Sequence, residues 1–170
     1  DRYDGIFMSN GPGNPEHNVN LIYFIRQLIR NEINIPIFGI CLGHQILSIA
    51  AHLKIYKMKY GNRGQNIPVI MNSNANNDIT YQRCFITSQN HGYCVDTTIL
   101  NSLQENIGWD ILFTNANDNT NEGIVHKSLP YFSCQFHPEA APGPNDTEFL
   151  FDIFVELIEN YKYSKKSLNS

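Results

Sequence analysis

The sequence has no dense run of Lys or Arg. Its 12 basic residues stand against 16 acidic ones, a formal charge of −4, so the electrostatic footprint of a nucleic-acid-binding surface is missing. Cysteine is scarce as well. The four cysteines, Cys41, Cys84, Cys94 and Cys134, form no C-x-x-C pair and no ligand spacing with histidine. That argues against a metal site or a disulfide-stapled scaffold, and predicts reduced thiols in a cytoplasmic enzyme. The longest apolar stretch, residues 35–53, is interrupted by His44, Gln45 and two glycines, which is not the pattern of a membrane span. Neither a secretory leader pattern nor an internal repeat is visible. With 42% hydrophobic residues in a length of 170, the chain fits one domain with a substantial core.

What the sequence does have is Gly39-Ile40-Cys41-Leu42-Gly43. An apolar stretch ends there and an amphipathic one begins at once, the pattern of a strand, a sharp turn and a helix. Glycines on both sides let backbone pass where a Cβ would clash. A thiol on such a turn points outward, and the N–H groups that open the helix favour negative charge on it. Far downstream, Gln135-Phe136-His137-Pro138-Glu139 places a histidine and a carboxylate at i and i+2. In an extended segment these share a face, so Glu139 can orient His137. A nucleophile, a base and an orienting acid are the parts of covalent acyl transfer. The bland alternative, a buried structural cysteine with an unrelated surface histidine, does not need the glycine bracket.

Residues 3–9 read as a short buried strand running into the loop Asn10-Gly11-Pro12-Gly13-Asn14-Pro15. Val19, Ile22, Ile25, Leu28 and Ile29 recur at helical spacing, residues 35–40 read as the next strand, and a helix follows the turn at Cys41. Strand, helix, strand, helix implies parallel strands in an α/β fold. From residue 54 to 137 the pattern changes to short strands split by Asn- and Gly-rich loops, with candidates at 54–58, 68–71, 84–87, 111–114, 122–126 and 131–136. Residues 72–78 read as a polar low-complexity tip. Asn145, with Glu148 three positions on, predicts a capping box for a last helix whose apolar stripe ends at Tyr161. One domain, residues 1–161, with a polar tail or linker at 162–170, is the expectation.

The stretches around Gly11, Cys41 and His137 resemble the class I glutamine amidotransferases, or triad glutaminases. Longer ones, among them Tyr56-Lys57-Met58-Lys59-Tyr60-Gly61-Asn62-Arg63-Gly64, Thr87-Ser88-Gln89-Asn90-His91-Gly92-Tyr93 and Asn121-Glu122-Gly123-Ile124-Val125-His126, are similar to the glutaminase part of glutamine-dependent carbamoyl-phosphate synthetases, with a flavour of the pyrimidine pathway. Ala141-Pro142-Gly143-Pro144 adds to that match.

The resemblance implies a flavodoxin-like sheet with helices on both faces and Cys41 at the carboxyl end of its strand. It implies L-glutamine as substrate, Cys41 as nucleophile, His137 as general acid and base, and Glu139 as the residue that orients it. The oxyanion falls to the backbone of Leu42 and of Gly11 or Gly13, and the amino-acid end of the substrate to Gln45, Asn90, Gly92 and Tyr93. No cofactor or metal is implied for this domain. ATP, magnesium and bicarbonate belong to the synthetase partner, fused or separate, which would receive the ammonia.

The sequence departs from the family in three ways. The family's first strand, helix and strand are expected ahead of residue 3 and are not in the sequence. Asn14 and Gln65 stand where Asp and His are common. Asn119-Thr120 replaces the commoner Gly-Ser, a change of loop shape rather than chemistry. Other biosynthetic glutaminases, such as those of GMP or anthranilate synthesis, and an inert docking module remain as alternatives. His44 and His91 are tempting bases. His44, three places after the nucleophile, is expected to face away from it, and nothing local gives His91 a proton-transfer role.

Overall fold

The computed structural model describes residues 3–72, 83–98, 100, 108–140 and 143–168. The polar tip beyond Asn72, and Ala141-Pro142, lie outside them. Strand β1 (Ile6–Met8) leads through the Gly-Pro-Gly loop and a 3-10 turn (Pro15–His17) to helix α1 (Val19–Arg30), then to β2 (Ile37–Ile40) and α2 (Leu42–Ala50). Strands β3 (Lys54–Met71), β4 (Arg83–Asp96), β5 (Trp109–Asn115), β6 (Asn121–His126) and β7 (Tyr131–Cys134) follow, and α3 (Phe149–Leu168) closes the chain.

The seven strands form one sheet in the order β1-β2-β7-β6-β5-β3-β4. Strands β1, β2 and β7 run parallel, with Phe7 opposite Phe38 and Phe38 opposite Phe132. The remaining pairs are antiparallel. Alternation along β2 splits its side chains between two apolar layers. Ile37 joins Ile25, Ile46 and Leu47 of α1 and α2 on one face. Phe38 and Ile40 join Phe132, Phe136, Leu150 and Phe154 on the other, where α3 packs. Both faces of the central strands are thereby covered, as parallel strands require.

The long hairpin of β3 and β4 corrects the expectation of separate short strands. It survives Gly, Asn and Pro because register shifts between Lys57 and Asn62 and between Gly64 and Ile67 absorb them. Asn90 and Gly92 lie within β4. Strand β1 is shorter than expected and sits at the sheet edge, with Phe7 half-exposed rather than buried.

Helix α3 begins at Phe149, four residues after the expected cap. Asn145 contributes its backbone carbonyl to Glu148 N–H at 3.3 Å, while Asp146 accepts from Ile86 N–H at 2.9 Å. The helix then runs through the supposed tail to Leu168, where Lys165 reaches Asp4 at 3.4 Å. Basic residues in its last turn suit the negative end of the helix. Asn119 takes a φ of 59°, the left-handed conformation that glycine otherwise supplies at that turn.

Candidate active site

Strand β2 delivers Cys41 to the top of the sheet. Its backbone turns through φ 51° and ψ −98°, a strained conformation for a residue with a Cβ, and α2 starts at the next residue. Two hydrogen bonds hold the strain in place: Cys41 N–H donates to Cys134 C=O at 2.9 Å, and Gln45 N–H to Cys41 C=O at 3.1 Å. The bracketing glycines have no room for side chains. A Cβ on Gly39 would lie 2.7 Å from Gly43 backbone.

Residues His137 to Glu139 follow β7, the neighbour of β2, so they arrive beside the turn. His137 N–H donates to Ser88 C=O at 2.9 Å, and its Nδ1 meets Glu139 Oε1 at 2.8 Å. Among the described residues the buried Nε2 finds no hydrogen bond of regular geometry. The Cys41 thiol nonetheless interacts with this ring. Together with Glu139, and against the opposing effect of burial, it pushes the His137 pKa up to about 10. Partial burial of Glu139 would raise its pKa, but the hydrogen bond and charge of His137 hold it below the usual carboxylate range. The sequence pair at i and i+2 is thus a coupled pair in space.

The Cys41 side opens into a cleft of about 430 Å³. Gly11, Gly13, Gln45, Asn90, Gly92 and Tyr93 all line it. Leu42 stands at the start of α2, its side chain against Gly11, where a Cβ would lie 2.8 Å from it. Gln45 is buried, its Nε2 bonded to Gln135 Oε1 at 3.0 Å and to Tyr93 C=O at 3.4 Å. Among the described residues no donor meets its Oε1.

His44 faces the other way. It is fully buried, its Nδ1 lies 2.8 Å from Ser133 Oγ, and burial pushes its pKa down to about 3. His91, by contrast, lines the cleft, as do Arg63 and Lys57, which the sequence reading assigned to no role. No local sequence signal marks Arg63; only the hairpin register, in which it sits opposite Asn90, brings it to the cleft. Among the described residues no group of three or more His, Cys, Asp or Glu side chains is placed to hold a metal ion.

A sharp cysteine turn above a parallel β2–β7 pair, with a His–Glu couple beside it, defines a class of protein. The family model "Glutamine amidotransferase class-I" matches residues 1–157. The chain belongs to the class-I glutamine amidotransferases.

Within that family it is 50% identical over 163 residues to the carbamoyl phosphate synthase arginine-specific small chain of Emericella nidulans, covering 96% of this chain and 33% of that one. It is 49% identical over 163 residues to the multifunctional protein URA2 of Saccharomyces cerevisiae, covering 96% of this chain and 7% of the relative. The chain spans about a third of the length of the small chains it matches. Among solved structures, a glutamine amidotransferase from Thermotoga maritima shares the fold with a TM-score of 0.57 and 21% identity, covering 95% of this chain and 72% of that one.

Proposed function

We propose that this chain is a glutaminase that supplies ammonia for carbamoyl phosphate synthesis. The observation that carries this reading is the strained turn at Cys41 beside a histidine whose basicity Cys41 itself raises. His137 takes the thiol proton, and Cys41 Sγ attacks the side-chain amide carbon of L-glutamine. Backbone N–H groups of Leu42 and of Gly11 or Gly13 meet the oxyanion. His137 returns the proton to the nitrogen as the C–N bond breaks, releasing ammonia and leaving a γ-glutamyl thioester. Water then attacks the thioester with His137 as base, yielding glutamate and the free thiol. Glu139 fixes the imidazole and stabilises its cationic form.

Gln45 Oε1, Asn90, Gly92 and Tyr93 hold the amino-acid end of the substrate. Their place along one cleft with Cys41 supports this assignment. The partner is a synthetase domain or subunit, a reading supported by the names of the relatives. That partner carries the ATP, magnesium and bicarbonate chemistry.

The pathway follows from the synthetase served. Pyrimidine synthesis was the expectation, while the small chains at about half identity are named arginine-specific. Deleting the gene separates the two, through a requirement for uracil or for arginine. The activity itself is tested in the full-length protein by glutamate release from glutamine. Cys41→Ser should abolish that release and leave synthesis from free ammonia intact. Normal glutamine-dependent activity in Cys41→Ser would refute the reading.

A further inference from the structure

Glu122, on β6, is a fully buried carboxyl group for which the mechanism has no use. Its Oε1 accepts from Asn115 Nδ2 at 2.9 Å, while Oε2 has no hydrogen bond of regular geometry among the described residues. The side chain of Gln89, on β4, also interacts with this carboxyl. The Gln89 amide continues toward the cleft. Its Oε1 lies 3.0 Å from His91 Nε2, and its Nε2 lies 3.2 Å from Thr87 Oγ1. His91 Nδ1 in turn meets Tyr93 C=O at 2.8 Å, the same carbonyl that accepts from Gln45.

Directionality makes this a chain rather than a set of neighbours. A carbonyl only accepts, so His91 Nδ1 carries a hydrogen. Nε2 is then the variable end, and it faces Gln89. With the amide oxygen toward it, Nε2 must also donate. His91 is then a cation whose countercharge lies across the amide, at Glu122. With the amide reversed, its NH₂ donates to a neutral Nε2, and its oxygen can accept from a protonated Glu122 but also faces Thr87 Oγ1, whose hydrogen goes to Ile67 C=O. Burial favours the neutral pairing, since it pushes Glu122 up to about 8 and His91 down. In either arrangement the hydrogen-bonded chain Gln89–His91–Tyr93 is kept, and Glu122 bears on it from behind Gln89.

We infer that Glu122 and Gln89 are positioning residues for the glutamine cleft, keeping on His91 Nδ1 the hydrogen that fixes the Tyr93 segment of its wall. The inference rests on the glutaminase reading, and it assigns a task to a carboxyl that touches no substrate.

The test uses the full-length protein and two reagents for Cys41. One is a diazo ketone shaped like L-glutamine, which needs the cleft; the other is iodoacetamide, which needs only the thiol. Labelling of the Cys41 peptide is followed by mass spectrometry alongside steady-state glutamine hydrolysis. Glu122→Leu should raise KM and slow diazo ketone labelling about tenfold, the scale of one buried hydrogen bond. The kcat and the iodoacetamide rate should stay within about threefold of the parent. Glu122→Gln, which can still donate and accept, should restore KM.

Gln89→Met breaks the link while leaving Glu122 in place, and should reproduce Glu122→Leu even if that variant fails to fold. Normal KM in Gln89→Met, or equal losses in Glu122→Gln and Glu122→Leu, would overturn the inference. If the parent protein released no glutamate and took no diazo ketone, the glutaminase reading itself would be the one to fail.

Discussion

A Cβ on Gly43 would lie 2.2 Å from the Met8 carbonyl oxygen. Helix α2 can therefore start against β1 only where residue 43 has no side chain, and the same contact ties the Cys41 turn to the strand that leads into the Gly11–Gly13 loop. Gly43→Ala should destabilise the fold by about 2 kcal/mol or more, an overpacking cost with backbone as the immovable neighbour. Gly13→Ala is the control. Its Cβ would meet nothing within 4 Å, and the φ of 103° alone makes the change costly, by about 1 kcal/mol. Thermal melts of both variants check the order, and a melt of Gly43→Ala equal to the parent would disprove the contact.

His137 should titrate near 10, far above its ordinary 6.5, with Cys41 as the largest cause. Cys41→Ala should therefore move the titration down toward 6.5. The folded pKa is the raised one, so the stability this pair contributes is complete below about 6.5 and is lost as pH rises through about 10. NMR titration of the ring and denaturant melts between these pH values read both effects. An unchanged His137 pKa in Cys41→Ala would show that the two groups are not coupled.

Glu139→Gln keeps an acceptor for His137 Nδ1 and removes the charge. The kcat of glutamine hydrolysis should fall about 10²-fold, within the range of general acid–base contributions, with KM little changed. The His137 pKa should fall with it. A variant with full kcat would remove Glu139 from the mechanism.

The four cysteines should differ sharply in reactivity. Cys84 is exposed, and the thiol of Cys41 opens on the cleft. Burial pushes the Cys94 thiol up to about 11, and Cys134 well above its ordinary value. Neutral-pH alkylation followed by peptide mass spectrometry should mark Cys84 and Cys41, and reach Cys94 and Cys134 only after unfolding. Rapid labelling of Cys134 in the folded protein would contradict the packing of β7.

The Cys41 turn was legible in the sequence because its marks are local: two glycines, an apolar run before, a helical stripe after. His137 and Glu139 were legible because extended backbone puts i and i+2 on one face. The β3–β4 hairpin was not. Its Gly, Asn and Pro residues read as turns, and only pairing across the hairpin, Arg63 with Asn90 and Asn62 with His91, holds them extended. Glu122 was invisible for a different reason: a carboxyl in sequence reads as surface, and its burial depends on β4, β5 and β6 meeting around it. The end of α3 was misread because Lys and Ser resemble a solvated tail, whereas Asp4, more than a hundred residues upstream, meets Lys165.

The central claim is that Cys41 carries the glutamyl group in a covalent intermediate. The most direct measurement is to quench the full-length protein in acid during steady glutamine turnover and map the adduct by peptide mass spectrometry. The predicted result is a γ-glutamyl thioester on the peptide holding Cys41, absent in Cys41→Ser. An adduct on Cys84, Cys94 or Cys134, or hydrolysis that continues undiminished in Cys41→Ser, would contradict the account.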